Sequence, residues 1–236
     1  MSKLELRKLI FEARVENFLY IDRTGLFFKT LQEFIGIYNF IPNIPNTSFI
    51  LSNKTFQGSL SPQNIALINI QPTSSEEFEP VVKKMLTKFP EVYEEPKLKR
   101  LGYRFVYFQE KNKQDTLEFL KRFYASDLEE KLLKDREGPD FLETEHIEIK
   151  YTLKIRDNFY FTFSAYSGEK VAEDENNPRK DMIQKGLAID IDCYSTYDTE
   201  NIKLDSNFIE KELPVFLNRS SQTAKTIIQN IQSSKG

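Results

Sequence analysis

Cysteine, histidine and tryptophan are nearly missing from this chain, and each scarcity excludes a class of function. The 236 residues include one cysteine, one histidine and no tryptophan. Cys193 can therefore form no intrachain disulfide, and one cysteine with one histidine cannot build a conventional zinc site. None of the eight glycines falls in a phosphate-loop or dinucleotide-binding pattern. The sequence accordingly predicts neither a metal site nor a cofactor.

Long apolar runs and a strong charge of one sign are missing as well. No stretch approaches the roughly 18–20 apolar residues that a membrane-spanning helix needs. The opening MSKLELRKLIFEARVENF has scattered charges where a secretory signal would be apolar. The formal net charge is -3 at pH 7, so no global positive field attracts nucleic acid. With the single cysteine, these features favour a soluble cytoplasmic protein that does not attach to membranes.

The patterns that are present indicate the fold class. Strand patterns cover the segments 8–18, 48–51, 56–60, 97–109, 145–156, 159–166 and 186–194. The segment 65–71 is a continuous apolar run that does not alternate, and it predicts a strand covered on both faces. Helical periodicity covers 25–39, 76–89 and 114–133, and a last helix begins at about Ser206. The strands mostly follow one another without helical crossovers. This order is typical of an α+β fold with a largely antiparallel sheet and helices packed on one side, and two similar subdomains would also fit it.

Charge runs, prolines and one polar segment suggest how the chain is divided. We expect an N-terminal α+β half at 1–112, a charged helical connector or insertion at 113–140, and C-terminal antiparallel strands with a terminal helix at 141–236. Pro90 is expected to end the second helix, and Pro214 to kink or break the last one. The polar segment 167–185 is expected to be a mobile loop between two strands.

One strand carries arginines on a single face. In the segment RLGYRFVYF, which begins at Arg100, aromatic side chains alternate with Arg100, Gly102 and Arg104. An arginine side chain is costly to bury unless it is paired. This face is therefore predicted either to carry a structural ion-pair network or to line an anion-binding surface.

A later strand supplies matching acids. Asp190 and Asp192 share one face of the segment 186–194. Bidentate pairs of these aspartates with Arg100 and Arg104 would suit neighbouring strands. In the alternative interpretation the arginines bind a phosphate or carboxylate, and Gly102 lets that ligand approach the backbone.

The residues around the arginines also raise a nucleic-acid alternative. Lys97 and Lys99 precede Arg100 in a segment rich in aromatics, as in sheets that stack RNA bases on exposed aromatic rings. The aromatic rings here fall on the other face, where the core is expected. His146 is the single histidine, and the chain has no nucleophile-elbow motif, so no catalytic residue is predicted.

Three short motifs stand in order along the chain. They are Ile10-Phe11-Glu12-Ala13, the run from Arg100 to Phe105, and Ile189-Asp190-Ile191-Asp192. In this order they resemble the I-x-E-A, R-x-G-x-R-Y and L-D-I-D strand motifs of a sporadically distributed family of uncharacterised bacterial proteins of similar length. Phe105 and Ile189 depart from the motifs, and the C-terminal helix lacks the histidine that family members usually have. The family has no established activity, but its patchy distribution implies exchange among mobile, defence or toxin–antitoxin loci.

The absence of any complete catalytic set predicts a non-catalytic protein-interaction or regulatory subunit with a protein partner. The resemblance implies a bacterial defence or toxin–antitoxin-type system. The first alternative is a nucleic-acid or nucleotide-binding protein that uses the basic strand 97–104. The second is a phosphoryl- or acyl-transfer enzyme with an Arg/Asp site. No oligomeric state is predicted.

Overall fold

The computed structural model describes residues 3–16, 24–35, 37–41, 47–51, 55–93, 96–121, 148–156, 158–173, 181–197 and 202–233. Its strands are β1 (Glu5–Val15), β2 (Ile37–Ile41), β3 (Thr47–Leu51), β4 (Phe56–Ser61), β5 (Asn64–Asn69), β6 (Leu98–Glu110), β7 (Glu148–Arg156), β8 (Phe159–Glu173) and β9 (Asp181–Thr196). Its helices are α1 (Thr24–Ile35), α2 (Ser75–Val92), α3 (Lys113–Lys121) and α4 (Leu213–Ser233). A π-helical segment, Phe208–Glu212, directly precedes α4.

The strands of these ranges form one sheet in the order β2-β3-β4-β5-β1-β6-β9-β8-β7. The pairs β2–β3, β3–β4, β4–β5 and β1–β5 are antiparallel. In the last of these pairs Phe11 lies opposite Leu67, and both side chains are fully buried. The predicted α+β fold with a largely antiparallel sheet is confirmed.

Contacts group the chain into two compact units. The smaller unit contains Met1–Glu5, Val106–Thr152 and Thr162–Asp190, and the larger contains Leu6–Phe105, Leu153–Phe161 and Ile191–Gly236. Strands β1, β6, β7, β8 and β9 each contribute residues to both units. This grouping does not follow chain order, so the linear division at 1–112, 113–140 and 141–236 stays a prediction. Residues 122–147 lie outside the described residues.

In the larger unit, helices cover one face of the sheet. Phe78 of α2 stacks on Tyr103 of β6 with ring centroids 5.8 Å apart. Phe216 of α4 meets Phe159 of β8 edge to face at 6.0 Å. All four rings are buried, whereas Arg100 of β6 projects from the opposite face to reach the side chains of neighbouring strands. One face of these strands thus packs buried rings in the core, and the opposite face is polar.

In the smaller unit, apolar side chains of α3 and of the strands are buried. The buried apolar side chains of this unit are Leu4, Phe108, Leu117, Phe119, Leu120, Ile149, Phe163, Ala165, Leu187, Ala188 and Ile189. The side-chain oxygen of Asn112 accepts a hydrogen bond from the backbone N–H of Asp115 at 2.7 Å and so caps the start of α3. At Gly186 a Cβ atom would lie 2.2 Å from the backbone oxygen of Gln109. Only glycine permits this close approach.

Burial along β6 departs from strict alternation at two places. The buried large side chains are Leu98, Leu101, Tyr103, Phe105 and Phe108, so the inward positions slip by one residue near 99–100 and again near 106–107. A slip of this kind is what a β-bulge produces. The first slip allows both Lys99 and Arg100 to reach acids of β1 and the residue that follows it.

Two predicted helix ends are wrong. The first predicted helix runs to 39, but α1 ends at Ile35 and β2 begins at Ile37. Pairing of β2 with β3 outweighs the helical periodicity of these residues. Pro90 lies inside α2, which continues to Val92. A proline so near the C-terminus removes one hydrogen bond of the last turns, and Tyr93 still donates to the backbone oxygen of Phe89 at 3.0 Å.

The predicted loop at 167–185 is mostly strand. β8 continues to Glu173 and β9 begins at Asp181, while 174–180 lie outside the described residues. The polar composition of this segment suggested a loop, but polar side chains are ordinary in strands that face water. Pro214 is the second residue of α4, where the chain changes from π-helical to α-helical. The predicted helix at 114–133 is described only as far as Lys121, the end of α3.

Candidate functional site

The polar face of β6 carries an ionic cluster centred on Arg100. The Nη2 atom of Arg100 donates to Oδ2 of Asp192 in β9 at 2.7 Å, and Nη1 donates to Oε2 of Glu12 in β1 at 3.4 Å. Glu12 also accepts a hydrogen bond from Nε of Arg14 at 2.6 Å, which raises the pKa of Arg14. Only 17% of the Arg100 side chain is exposed. Carboxylates on both neighbouring strands balance this half-buried charge. We name the four residues Arg100, Glu12, Arg14 and Asp192 the Arg100 cluster.

Gly102 provides the space in which the Arg100 guanidinium lies. A Cβ atom at Gly102 would stand 2.7 Å from Nη1 and 3.3 Å from Cζ of Arg100. The sequence alone presents Gly102 as an opening for a phosphate or carboxylate ligand. The structure fills that opening with the Arg100 side chain itself, which folds back over the glycine toward Glu12 and Asp192.

A row of stacked rings extends the Arg100 cluster across the larger unit. The Cζ atom of Arg100 lies 4.6 Å from the ring centroid of Tyr194 in β9. Tyr194 stacks on Tyr160 of β8, with centroids 5.3 Å apart and planes 13° from parallel. The Nζ atom of Lys154 in β7 then lies 5.6 Å from the Tyr160 ring. A cation thus sits near each end of a two-ring stack, an attractive arrangement because ring faces are electron-rich.

The two candidate lysines for nucleic-acid binding lie beside an acid. Lys99 pairs with Glu16 at 2.9 Å, and Lys97 approaches the same carboxylate at 3.7 Å. The hydrogen bond from Lys99 is the main reason that the pKa of Glu16 is lowered. All three side chains are exposed by more than a third, so water and salt weaken these pairs.

The remaining predicted site residues are placed differently from Arg100. Arg104 is exposed and belongs to the larger unit, whereas Asp190 is 7% exposed and belongs to the smaller one. Both make interactions of their own. The structure therefore brings together Arg100 and Asp192 and adds Glu12, which sequence analysis did not connect with them.

Strand β7 exposes apolar side chains at an edge of the sheet. Within the described part of the chain, β7 is the last strand of the sheet order. Leu153 is 55% exposed and Ile155 is 45% exposed, and Tyr151 precedes them at the same alternate spacing. The other face of β7 carries Thr152 and Lys154, which contact Thr162 and Tyr160 of β8. The apolar row therefore lies on the helix-covered side of the sheet.

A cavity of about 600 Å³ lies where the end of β9 meets the start of α4. It combines both signs of charge with aromatic rings. Its lining residues include Phe159, Ser195, Lys203, Asp205, Glu212 and Arg219. Asp205 accepts a hydrogen bond from the backbone N–H of Phe208 at 2.7 Å, and the Cζ atom of Arg219 lies 5.4 Å from the Phe159 ring. Two of the polar residues thus already serve the fold, and the rest define no single ligand chemistry.

Helices α2 and α4 are joined by polar contacts away from the sheet. The hydroxyl of Ser221 donates to Glu79 at 2.6 Å, and Lys225 donates to Glu76 at 2.6 Å. Burial raises the pKa of Glu79, although the hydrogen bond from Ser221 opposes the shift. The hydrogen bond from Lys225 is the largest of the effects that lower the pKa of Glu76 to about 2.

The single cysteine is not a reactive group in this fold. Cys193 is fully buried in β9, and burial is the main reason that its thiol pKa is raised, with the nearby charge of Asp192 adding to it. Its sulfur lies 3.8 Å from the backbone oxygen of Ser220. A thiol held in its neutral form and shielded from water is a poor nucleophile.

Metal binding and membrane crossing find no support in the described ranges. There, no group of three or more histidine, cysteine, aspartate or glutamate side chains is placed to hold a metal ion. None of the described helices is long and apolar enough to cross a membrane. His146 lies outside the described residues.

Comparison with known proteins does not assign the chain to a family. No protein-family model matches it, and neither does any curated protein. The resemblance suggested by the three strand motifs therefore stays a prediction.

Proposed function

We propose that this protein is a non-catalytic interaction or regulatory subunit whose protein partner binds along β7. The supporting observation is the exposed pair Leu153 and Ile155 on a strand that ends the described sheet. A solvent-exposed apolar row on an edge strand is a surface that a partner chain can cover, because soluble proteins seldom leave such rows open to water.

The alternatives have weaker support from the geometry. A phosphate bound at Arg100 would have to displace carboxylates at 2.7 and 3.4 Å, and one bound at Lys99 would have to displace Glu16 at 2.9 Å. A transfer enzyme would need arginine and aspartate side chains that converge unpaired on a pocket. Arg100 and Asp192 are instead bonded to each other.

The setting of the function is part of the same proposal. The motif resemblance suggests a bacterial defence or toxin–antitoxin-type complex. A cytoplasmic location agrees with the single cysteine of the chain.

The test is affinity purification of the tagged protein from its native host, with and without nuclease. We expect a stoichiometric protein partner that survives nuclease and is lost when Leu153→Thr and Ile155→Thr are combined. Threonine keeps the strand propensity of these positions while removing most of the apolar surface. The matched control is Leu26→Gln, because Leu26 is 56% exposed on α1.

Three outcomes separate the candidate functions. Loss of the partner in the β7 double variant but not in Leu26→Gln supports the proposal. A complex that dissociates on nuclease treatment would favour the nucleic-acid alternative. A protein that remains alone at every salt concentration, or a partner unaffected by the β7 substitutions, would refute binding along β7.

A further inference from the structure

We infer that the partner contributes an extended segment of alternating apolar and acidic side chains, which adds to the sheet as a strand beside β7. This inference rests on the function proposed above and specifies the chemistry of the partner. It follows from three properties of β7: its unpaired edge within the described sheet, its apolar face and the charge of its other face.

The first property is the backbone. β7 spans Glu148–Arg156 and is bordered by β8 on one side, and the sheet order of the described residues ends with it. The backbone N–H and C=O groups of every second residue on an edge strand point away from the sheet. A partner in extended conformation satisfies these groups, whereas a helix laid on the same edge does not.

The second property is the apolar face. Leu153 and Ile155 stand two residues apart and therefore project to the same side. They lie on the side that carries the buried ring of Phe159 in the adjacent strand. Apolar side chains at alternate positions of an added strand would lie next to them and continue this apolar surface.

The third property is positive charge on the other face. Lys150 and Lys154 are both exposed and lie four residues apart, so they share a face, on which Glu148 at the start of the strand adds one negative charge. The Lys154 ammonium lies 5.6 Å from the centroid of the Tyr160 ring. Acidic side chains on a neighbouring strand would meet these two lysines as cross-strand ion pairs.

A second copy of this chain fits the charges of β7 less well than an acidic strand does. An antiparallel pair that uses all of β7 is centred on Thr152, so it sets Lys150 opposite Lys154 twice and Glu148 opposite Arg156 twice. The repulsive and the attractive cross-strand pairs offset each other in such a dimer, whereas acidic side chains opposite the two lysines are attracted at both positions. The occupant that we infer is therefore the acidic strand, and self-association is one of the outcomes tested below.

The first experiment measures binding of two fluorescent peptides to the full-length protein by anisotropy at low salt. One peptide alternates valine and glutamate over the length of β7, and the other alternates valine and lysine. We expect the acidic peptide to bind at least about tenfold more tightly, because the two peptides share their valines and differ only in whether their charges attract or repel Lys150 and Lys154. Lys150→Glu should remove or reverse this preference, whereas Lys83→Glu, an exposed lysine of α2, should leave it unchanged.

The second experiment tests strand addition itself. The acidic peptide is N-methylated at every second residue, in the two opposite phases. In a strand pair, the N–H groups of alternate peptide residues point toward β7 and those of the others point away from it. The peptide methylated on the N–H groups that point toward β7 should lose binding by about tenfold or more, and the peptide methylated on the others should keep it. Equal binding of both would overturn strand addition, and failure of the acidic peptide to bind would overturn the inference as a whole.

Failure of this inference is distinguishable from failure of the proposed function. If the purified partner is lost with Leu153→Thr and Ile155→Thr but retained with Lys150→Glu, binding along β7 stands and the acidic chemistry is wrong. If the protein dimerises in sedimentation experiments and the double threonine variant is monomeric, a second copy occupies the edge and the inference is overturned. If the acidic peptide binds but no host partner depends on β7, the proposed function is the part that fails.

Discussion

Replacing Gly102 with alanine tests whether the Arg100 guanidinium is held where the structure places it. The new Cβ atom would lie 2.7 Å from Nη1 of Arg100, closer than two such atoms approach. The backbone of β6 need not move, because the obstructing atom is the far end of a flexible side chain. The guanidinium should therefore leave its place between Glu12 and Asp192.

Two opposing terms set the expected size of the effect. A hydrogen bond to a charged group contributes about 1.5–3 kcal/mol, and the partial exposure of Asp192 places the Arg100–Asp192 bond near the lower end. Alanine in a strand is more favourable than glycine by roughly 0.5–1 kcal/mol. The free energy of unfolding of Gly102→Ala should therefore fall by about 1 kcal/mol.

A double-mutant cycle with Arg100→Ala isolates the cause. Without the arginine side chain the new methyl group has room, so Gly102→Ala should become neutral or stabilising by roughly 0.5–1 kcal/mol. Urea unfolding followed by far-ultraviolet circular dichroism measures all four proteins, since the chain has no tryptophan to report by fluorescence. Equal destabilisation by Gly102→Ala in both backgrounds would show that the glycine serves the backbone and not Arg100.

Three other predictions concern groups outside the Arg100 cluster. Because burial raises the pKa of Glu79 above its ordinary value of 4.5, the folded state holds this proton more tightly than the unfolded chain. The contribution of this proton to the free energy of unfolding is fully present below pH 4.5 and should be lost as the pH rises through the raised pKa. Glu79→Gln should reduce this loss when the free energy of unfolding is measured as a function of pH on both sides of pH 4.5. Cys193 should resist maleimide labelling in the native protein and react fully in urea, so rapid native labelling would contradict its burial. Gly186→Ala should cost about 3 kcal/mol in urea unfolding, because its obstacle is the backbone oxygen of Gln109; a cost near zero would refute that contact.

Local patterns were sufficient to predict much of the fold. Alternation in β6 placed Tyr103 and Phe105 on the face expected to be core, and both side chains are buried there. The continuous apolar run of β5 was correctly interpreted as a strand with burial on both faces, as Ile65 and Ala66 show. These inferences need only the period of the side chains, which the sequence contains.

Strand order is what the sequence could not supply. The sequence indicated which strand faces carry Arg100 and Asp192, but it did not show that β1 and β9 both border β6. Glu12 was for the same reason not recognised as a partner of Arg100, although its place on the polar face of β1 follows from alternation. The exposed row on β7 was missed too, because alternation alone cannot distinguish an edge strand from a covered one.

The position of β6 between β1 and β9 has a consequence for the newly made chain. On the ribosome β6 emerges long after β1, but residues 111–180 must still be synthesised before β9 begins. At about 5–20 residues per second this interval lasts roughly 4–14 seconds. During that time the strand with Arg100 has one side without its final neighbour, and Asp192 has not been made. The middle of the sheet is thus completed late, and a nascent chain in this interval is the form most exposed to mispairing and most in need of a chaperone.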